Sequence, residues 1–153
     1  MESVWDYPRP PRLEKAGARV TITHAGRVIV DSDQCWRVLE TSHPPVYYVP
    51  RGEIADGVLA AAPGSSYCEF KGMATYWDLT VGEVRVPRAG WSYERPTPGY
   101  ESLTGAVAFY PSRVDECRVA GEVVQPQEGD FYGGWITSGI TGPFKGGPGT
   151  MGW

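Results

Sequence analysis

The chain has 153 residues, 18 acidic against 14 basic, and a net charge of −4. That length fits one domain on a prior of about 100–200 residues, and 41% hydrophobic with 21% charged residues excludes wholesale disorder. An acidic chain without clustered Lys and Arg excludes a sequence-independent grip on nucleic acid, and no apolar run approaches the ~18–20 residues that span a membrane.

In chain order, residues 1–17 hold Pro8, Pro10 and Pro11 and read as an extended arm. The start, MESVWDYPRPPRLE, lacks the basic and apolar regions of a signal peptide. Segment 18–24 alternates, with Val20 and Ile22 on one face, and the run 27–32 after a turn at Ala25-Gly26 completes a hairpin signal. Strands follow at 34–41 and, after His43-Pro44-Pro45, at 46–50. Segment 53–61 is the one helical candidate, with Ile54, Val58 and Leu59 on a face and Gly57 weakening it. Strands are expected at 66–72, 73–81, 83–87, 89–94 and 105–111, then a hairpin of 116–119 and 122–126 around Ala120-Gly121. Residues 129–153 hold nine Gly and five aromatics. Pure linkers lack such rings, so this segment is expected to pack as an irregular strap on a domain formed by 18–128, with Phe131, Tyr132, Trp135, Phe144 and Trp153 as its apolar contacts. Many short strands with frequent turns indicate an all-β protein.

Cys35, Cys68 and Cys117 are odd in number, far apart and form no CxxC pair. They read as reduced thiols of a cytoplasmic protein, with no zinc site and no other metal expected. Arg outnumbers Lys 11 to 3 and Asn is absent, which points to a GC-rich bacterial genome.

The chemistry-bearing candidates are few. In YCEFKGMATYW, 67–77, an extended strand would place Tyr67, Glu69 and Lys71 on one face and Cys68 with Phe70 on the other, making Cys68 a buried small hydrophobe. Lys71, one of three lysines, stands in the most aromatic neighbourhood. Walled by apolar groups it becomes a base, nucleophile or anion anchor; otherwise it is a surface lysine paired with Glu69 or Glu40. Glu40 is read as a pocket carboxylate opposite Lys71 or as a solvated strand end. His43 is an acid–base candidate, and His24, before its turn, is expected to be exposed. No GxSxG elbow is present, and 142–150, GPFKGGPGT, lacks the order of a phosphate loop. Tyr47, Tyr48, Tyr76, Trp77, Trp91, Tyr93, Phe109 and Tyr110 fall in pairs on separate strands, so a β fold can line a pocket with their rings and hydroxyls.

LETSHPPVYYVP, YCEFKGMATYWDL, WSY and GAVAFYP, in that order, resemble the family called domain of unknown function 427 over residues 18–124. Its C-x-x-K-G-x-A-x-Y-W element is matched by Cys68, Lys71, Gly72, Ala74, Tyr76 and Trp77. The resemblance implies a β-tent: two antiparallel sheets splayed around a cleft, with at most one short helix. Relatives of that fold, such as the thalidomide-binding domain of cereblon, carry a four-cysteine zinc site that three scattered cysteines cannot form. The nucleotidyltransferase label sometimes given to the family finds no paired-carboxylate metal motif or phosphate loop here. The family-like polar and aromatic positions are Glu40, Tyr48, Lys71, Tyr76, Trp91, Tyr93 and Tyr110. With His43, they are the residues expected to line the cleft, with no cofactor. The expected function is binding of a small planar or anionic molecule. The alternatives are an enzyme using Lys71 as base or electrostatic catalyst, with no catalytic residue otherwise assigned, and a protein-interaction module; a homodimer is compatible with each.

Overall fold

The structure, a computed structural model, describes residues 1–68, 70–129 and 132–153. Among them there is no α-helix; single 3-10 turns interrupt a series of strands. These are β1 (Glu2–Ser3), β2 (Arg12–Lys15), β3 (Val20–His24), β4 (Arg27–Ser32), β5 (Trp36–Leu39), β6 (Val46–Tyr48), β7 (Leu59–Cys68), β8 (Gly72–Val81), β9 (Val84–Tyr93), β10 (Val107–Phe109), β11 (Glu116–Val119), β12 (Glu122–Val123), β13 (Gln125–Pro126), β14 (Trp135–Ile136) and β15 (Ile140–Thr141). The fold is all-β, with antiparallel sheets in the orders β2-β5-β6, β10-β9-β8-β7 and β12-β11-β3-β4, and two short ribbons, β13-β14 and the parallel pair β1-β15.

Turn chemistry explains the hairpins. Ala25 and Gly26 have φ of 49° and 77°, and Ala120 and Gly121 have 51° and 83°, the left-handed pairs that match strand twist in two-residue loops. His24 is buried, 6% exposed, which corrects the expectation of an exposed residue. Its Nδ1 accepts the Asp115 backbone N–H (3.1 Å), while Asp115 Oδ2 accepts the N–H of Ala25 (2.8 Å), so the ring ties β3 to the segment leading into β11.

The expected helix over 53–61 does not form. Arg51–Glu53 make one 3-10 turn, Gly57 has φ +75°, and Leu59 already begins β7. Ala55 N–H donates to Ile29 O (2.8 Å), and Thr80 N–H donates to Val58 O (2.7 Å). Backbone bonds to neighbouring strands thus replace a short helix whose propensity was marginal. Segments 83–87 and 89–94 form a single strand, β9, with a bulge where Trp77 pairs with Gly90 but Leu79 with Val86. In that bulge Arg88 has φ +48°, and its N–H donates to Asp78 Oδ1 (2.9 Å) instead of to the ladder. A matching irregularity lies on the other side of β8, between Ala61 and Ser65. Arg88 spans the two, donating to Pro63 O (3.0 Å) with its guanidinium 4.3 Å from the Tyr76 ring centroid.

Two cores result. Val20 and Ile22 of β3, Val30 of β4 and Cys117 and Val119 of β11 pack with Leu79, Val81, Val107 and Phe109. Ala74, Tyr76, Trp91, Tyr93 and Ala108 join Val38 and Tyr48 in a second, aromatic cluster. Strict alternation along β8 and β10 sends one set of side chains to each core. The three-stranded sheet is stitched to the edge of the β7–β10 sheet by Val49 and Val107, which exchange two 2.8 Å backbone hydrogen bonds.

The terminal segments lie against each other and against the sheets. Glu2 pairs with Ile140, Trp5 Nε1 donates to Pro143 O (2.8 Å), and the Trp5 and Trp153 rings meet edge-on at 5.4 Å. Trp135 is fully buried: its ring lies 4.9 Å from that of Tyr47, its Nε1 donates to Phe109 O (3.1 Å), and its backbone N–H donates to Pro45 O (2.8 Å). Phe131, counted among the strap contacts from sequence, lies outside the described residues. Trp135→Ala is expected to lower unfolding free energy by about 3–5 kcal/mol through the cavity it leaves. Trp135→Phe, which keeps most of the ring but orphans the Phe109 carbonyl, should cost about 1–3 kcal/mol. Urea denaturation of the two variants beside the parent measures both.

Candidate functional site

A cavity of about 290 Å³ lies between the three-stranded sheet and the β7–β10 sheet. Its walls include Val38 and Tyr48 from one side and Ala74, Tyr76, Trp91 and Tyr93 from the other. Glu40, His43, Lys71 and Tyr110 complete it, so the eight residues singled out from sequence line one cavity. A second depression, about 600 Å³ and bounded by Pro10, Trp36, Pro98 and Tyr100, is more open and has no charged residue among its walls; Phe70 stands between the two.

The hairpin between β7 and β8 places Lys71. The strand ends at Cys68, which pairs with Gly72, so Phe70 and Lys71 belong to a turn, and the expected alternation through Lys71 stops short. Glu69 lies outside the described residues. Both carbonyls of the turn are held by Thr97: its N–H donates to Lys71 O (3.1 Å) and its hydroxyl to Phe70 O. Gly72 has φ +107°, and a Cβ there would stand 3.2 Å from Arg95 O, so glycine is required by conformation and by space. The turn carries Lys71 back to the cavity, 9% exposed, with Nζ 5.9 Å from the Tyr93 ring centroid. Cys68, expected to be buried facing away, is half-buried and lines the same cavity.

Charge is distributed unevenly. Glu40 does not pair with Lys71, the partner expected from sequence. Its carboxylate lies 4.0 Å from Arg9 Nε and 3.9 Å from His43 Nε2. Among the described residues Lys71 makes no ion pair or hydrogen bond through its ammonium. Lys145 reaches the cavity from the C-terminal segment; its Nζ donates to Trp153 O (3.3 Å) and lies 5.2 Å from the Tyr132 ring centroid.

His43 is held neutral. Burial is the main cause, followed by the positive charges of Lys145, Arg9 and Lys71, and together they push its pKa down to about 4. Gln127 Nε2 stands 3.4 Å from His43 Nδ1 and donates to Lys145 O (2.6 Å), while its Oε1 accepts the Gly134 N–H (3.0 Å). An amide donating to Nδ1 fits the tautomer protonated on Nε2, and Tyr132 packs edge-on against the ring at 4.6 Å. Burial raises Tyr48 and Tyr93 far above the ordinary tyrosine value. Trp91 Nε1 donates to Tyr48 Oη (3.3 Å), Ser66 Oγ and Tyr76 Oη are 2.8 Å apart, and the rings of Trp91 and Tyr110 lie 4.6 Å apart. Gly133, φ +70°, lies against these rings: a Cβ there would come within 2.7 Å of Trp91.

The result is a slot of aromatic rings with an ammonium that has no counter-ion among the described residues at one part of its wall and a neutral imidazole. Among the described residues no three His, Cys, Asp or Glu side chains gather as a metal site would need. Reading from sequence missed Tyr132, Lys145, Gln127 and Arg9. Lys145 and Tyr132 lie in the Gly-rich segment, where no periodicity indicates which side chains turn inward.

The buried imidazole makes stability depend on pH. Unfolded, His43 titrates near its ordinary value of 6.5; folded, near 4. Between those values the unfolded chain binds more protons, so the contribution is complete above the upper value and is lost as pH falls toward the lower one. The full loss is on the order of 3 kcal/mol. Urea unfolding at pH 7 and pH 4.5 should show a decline that His43→Gln reduces, and the His43 imidazole should titrate near 4 by NMR.

No helix among the described residues is long and apolar enough to cross a membrane. No curated protein matches the chain in sequence. A family model described as a domain of unknown function (DUF427) matches residues 12–120, a span that contains the eight cavity residues named above but not Tyr132 or Lys145. With more than half of its length matched, the chain belongs to the DUF427 family.

Proposed function

We propose that the protein binds a small planar molecule bearing an anionic group, in a cavity between β-tent sheets. The observation that carries this reading is Lys71, an ammonium 9% exposed with no counter-ion among the described residues. A buried charge left unpaired costs several kcal/mol, and an anionic ligand removes that cost. Tyr48, Tyr93, Trp91 and Tyr110, each at most 7% exposed, offer ring faces and hydroxyls at the same place. The volume is near the small end of ligand cavities, about 300–1,000 Å³, which favours a compact molecule of one or two rings. Burial of these rings argues against an interaction module, which would present them on a flat exposed patch. Three free cysteines suit a reducing compartment.

Benzoate and benzamide, isosteric but differing in charge, test the reading by Trp fluorescence and ligand-observed NMR. Benzoate should bind about tenfold tighter or more, the equivalent of ~1.4 kcal/mol, and Lys71→Met should remove the difference. Equal binding of the two probes, or a Lys71→Met variant that binds benzoate like the parent, overturns it. The same variant without ligand should melt at or above the parent temperature, because an apolar chain of similar length replaces a desolvated charge. Native mass spectrometry of freshly purified protein should reveal a co-purifying acid.

A further inference from the structure

The chain has one thiol that a cavity ligand can meet. Cys35 and Cys117 are buried in the aliphatic core, and burial pushes their thiols up to about 11 and about 12. Cys68 is half-buried, lies at the end of β7 and lines the aromatic cavity. The turn that follows returns Lys71 to the same cavity, so one hairpin, with the closing pair Cys68 and Gly72, presents both the sulfur and an ammonium that has no counter-ion among the described residues. The phenols of Tyr48 and Tyr93 line the same cavity. An acid anchored at Lys71 would share this cavity with a thiol and with phenol hydroxyls.

We propose that Cys68 is a covalent attachment site for an organic acid that carries an electrophilic carbon, an activated alkene conjugated to a carbonyl. This rests on the reading of Lys71 as the anion anchor. Sulfur, having released its proton, bonds to the β-carbon. The alkene π pair moves toward the carbonyl as an enolate, and the α-carbon takes up a proton. One C–S and one C–H bond form, one S–H and one C–C π bond are lost, and no oxidant or reductant is consumed. Neighbouring phenols are suited to donate to the enolate oxygen.

The test compares maleimidoacetate with N-ethylmaleimide, an anionic and a neutral probe that add to thiols by this same step, on the full chain. Labelling sites are read by peptide mass spectrometry, and rates are compared with those of the urea-unfolded chain. In the native protein Cys68 should be labelled while Cys35 and Cys117 are not. The ratio of maleimidoacetate to N-ethylmaleimide rates should exceed the unfolded ratio by about tenfold, the scale of one unscreened ion-pair contact. Lys71→Met should bring the ratio back to the unfolded one with N-ethylmaleimide reactivity retained, Lys71→Arg should keep it raised, and benzoate should protect. Native Cys68 inert to both probes while benzoate still binds overturns the covalent site and leaves the binding reading standing. Labelling with the unfolded ratio and no protection by benzoate overturns both.

Discussion

Two hydrogen bonds between Val49 and Val107 join the three-stranded sheet to the edge of the β7–β10 sheet. This bridge pairs the backbone groups of Val49 and Val107, and beyond it no backbone pairing joins the two sheets among the described residues. Where they are not bonded, large side chains stand between them: Tyr48 from one side, Tyr76, Trp91 and Tyr93 from the other. Rings of this size contact one another around their perimeters without filling the space between the sheets, and the cavity is what remains. The paired irregularities flanking β8 belong to the same arrangement. A bulge bends a strand, and Arg88 fastens both bulges across the face of Tyr76.

The polar groups admitted to this space are assigned with little redundancy. His43 is kept neutral by burial and by three surrounding cations, so it contributes a hydrogen-bonding ring and no charge. Glu40 is taken up by Arg9 and by proximity to His43, which leaves it unavailable to Lys71. Lys71 is thereby the group whose electrostatic requirement the described protein does not meet. Apolar cores of equal volume are at least as stable as those holding charge, and the proposed anion binding rests on an ammonium held in such a place.

The C-terminal segment is part of this chemistry as well as of the fold. Trp135 anchors it in the aliphatic core, and Gln127 ties Gly134, Lys145 and His43 into one hydrogen-bonded group. Tyr132 and Lys145 line the cavity from this segment. Gly133 is accommodated against Trp91 for want of a side chain. The family match ends at residue 120, so these contacts are additions to the matched domain.

Alternation was sufficient to read most of the strands. Segments 27–32 and 116–119 coincide with β4 and β11: β11 alternates as a half-buried strand does, whereas β4 is marked by its β-branched run, in which Ile29 and Val30 are both buried. Left-handed turn positions at Ala25-Gly26 and Ala120-Gly121 were legible for the same local reason. The eight candidate cavity residues followed from resemblance and strand pairing, and they do share a cavity. Local pattern failed where distant backbone decided the outcome. Residues 53–61 carry helical spacing, but hydrogen bonds to Ile29 and Thr80 hold them extended. Alternation also predicted opposite faces for Cys68 and Lys71; a turn rather than a strand lies between them, so both meet the cavity. Which carboxylate pairs with which cation was likewise beyond the sequence. Glu40 meets Arg9 because the N-terminal arm runs past Thr41 and Ser42, and the direction of that arm is set by pairing with β5 and, across most of the chain length, with β15.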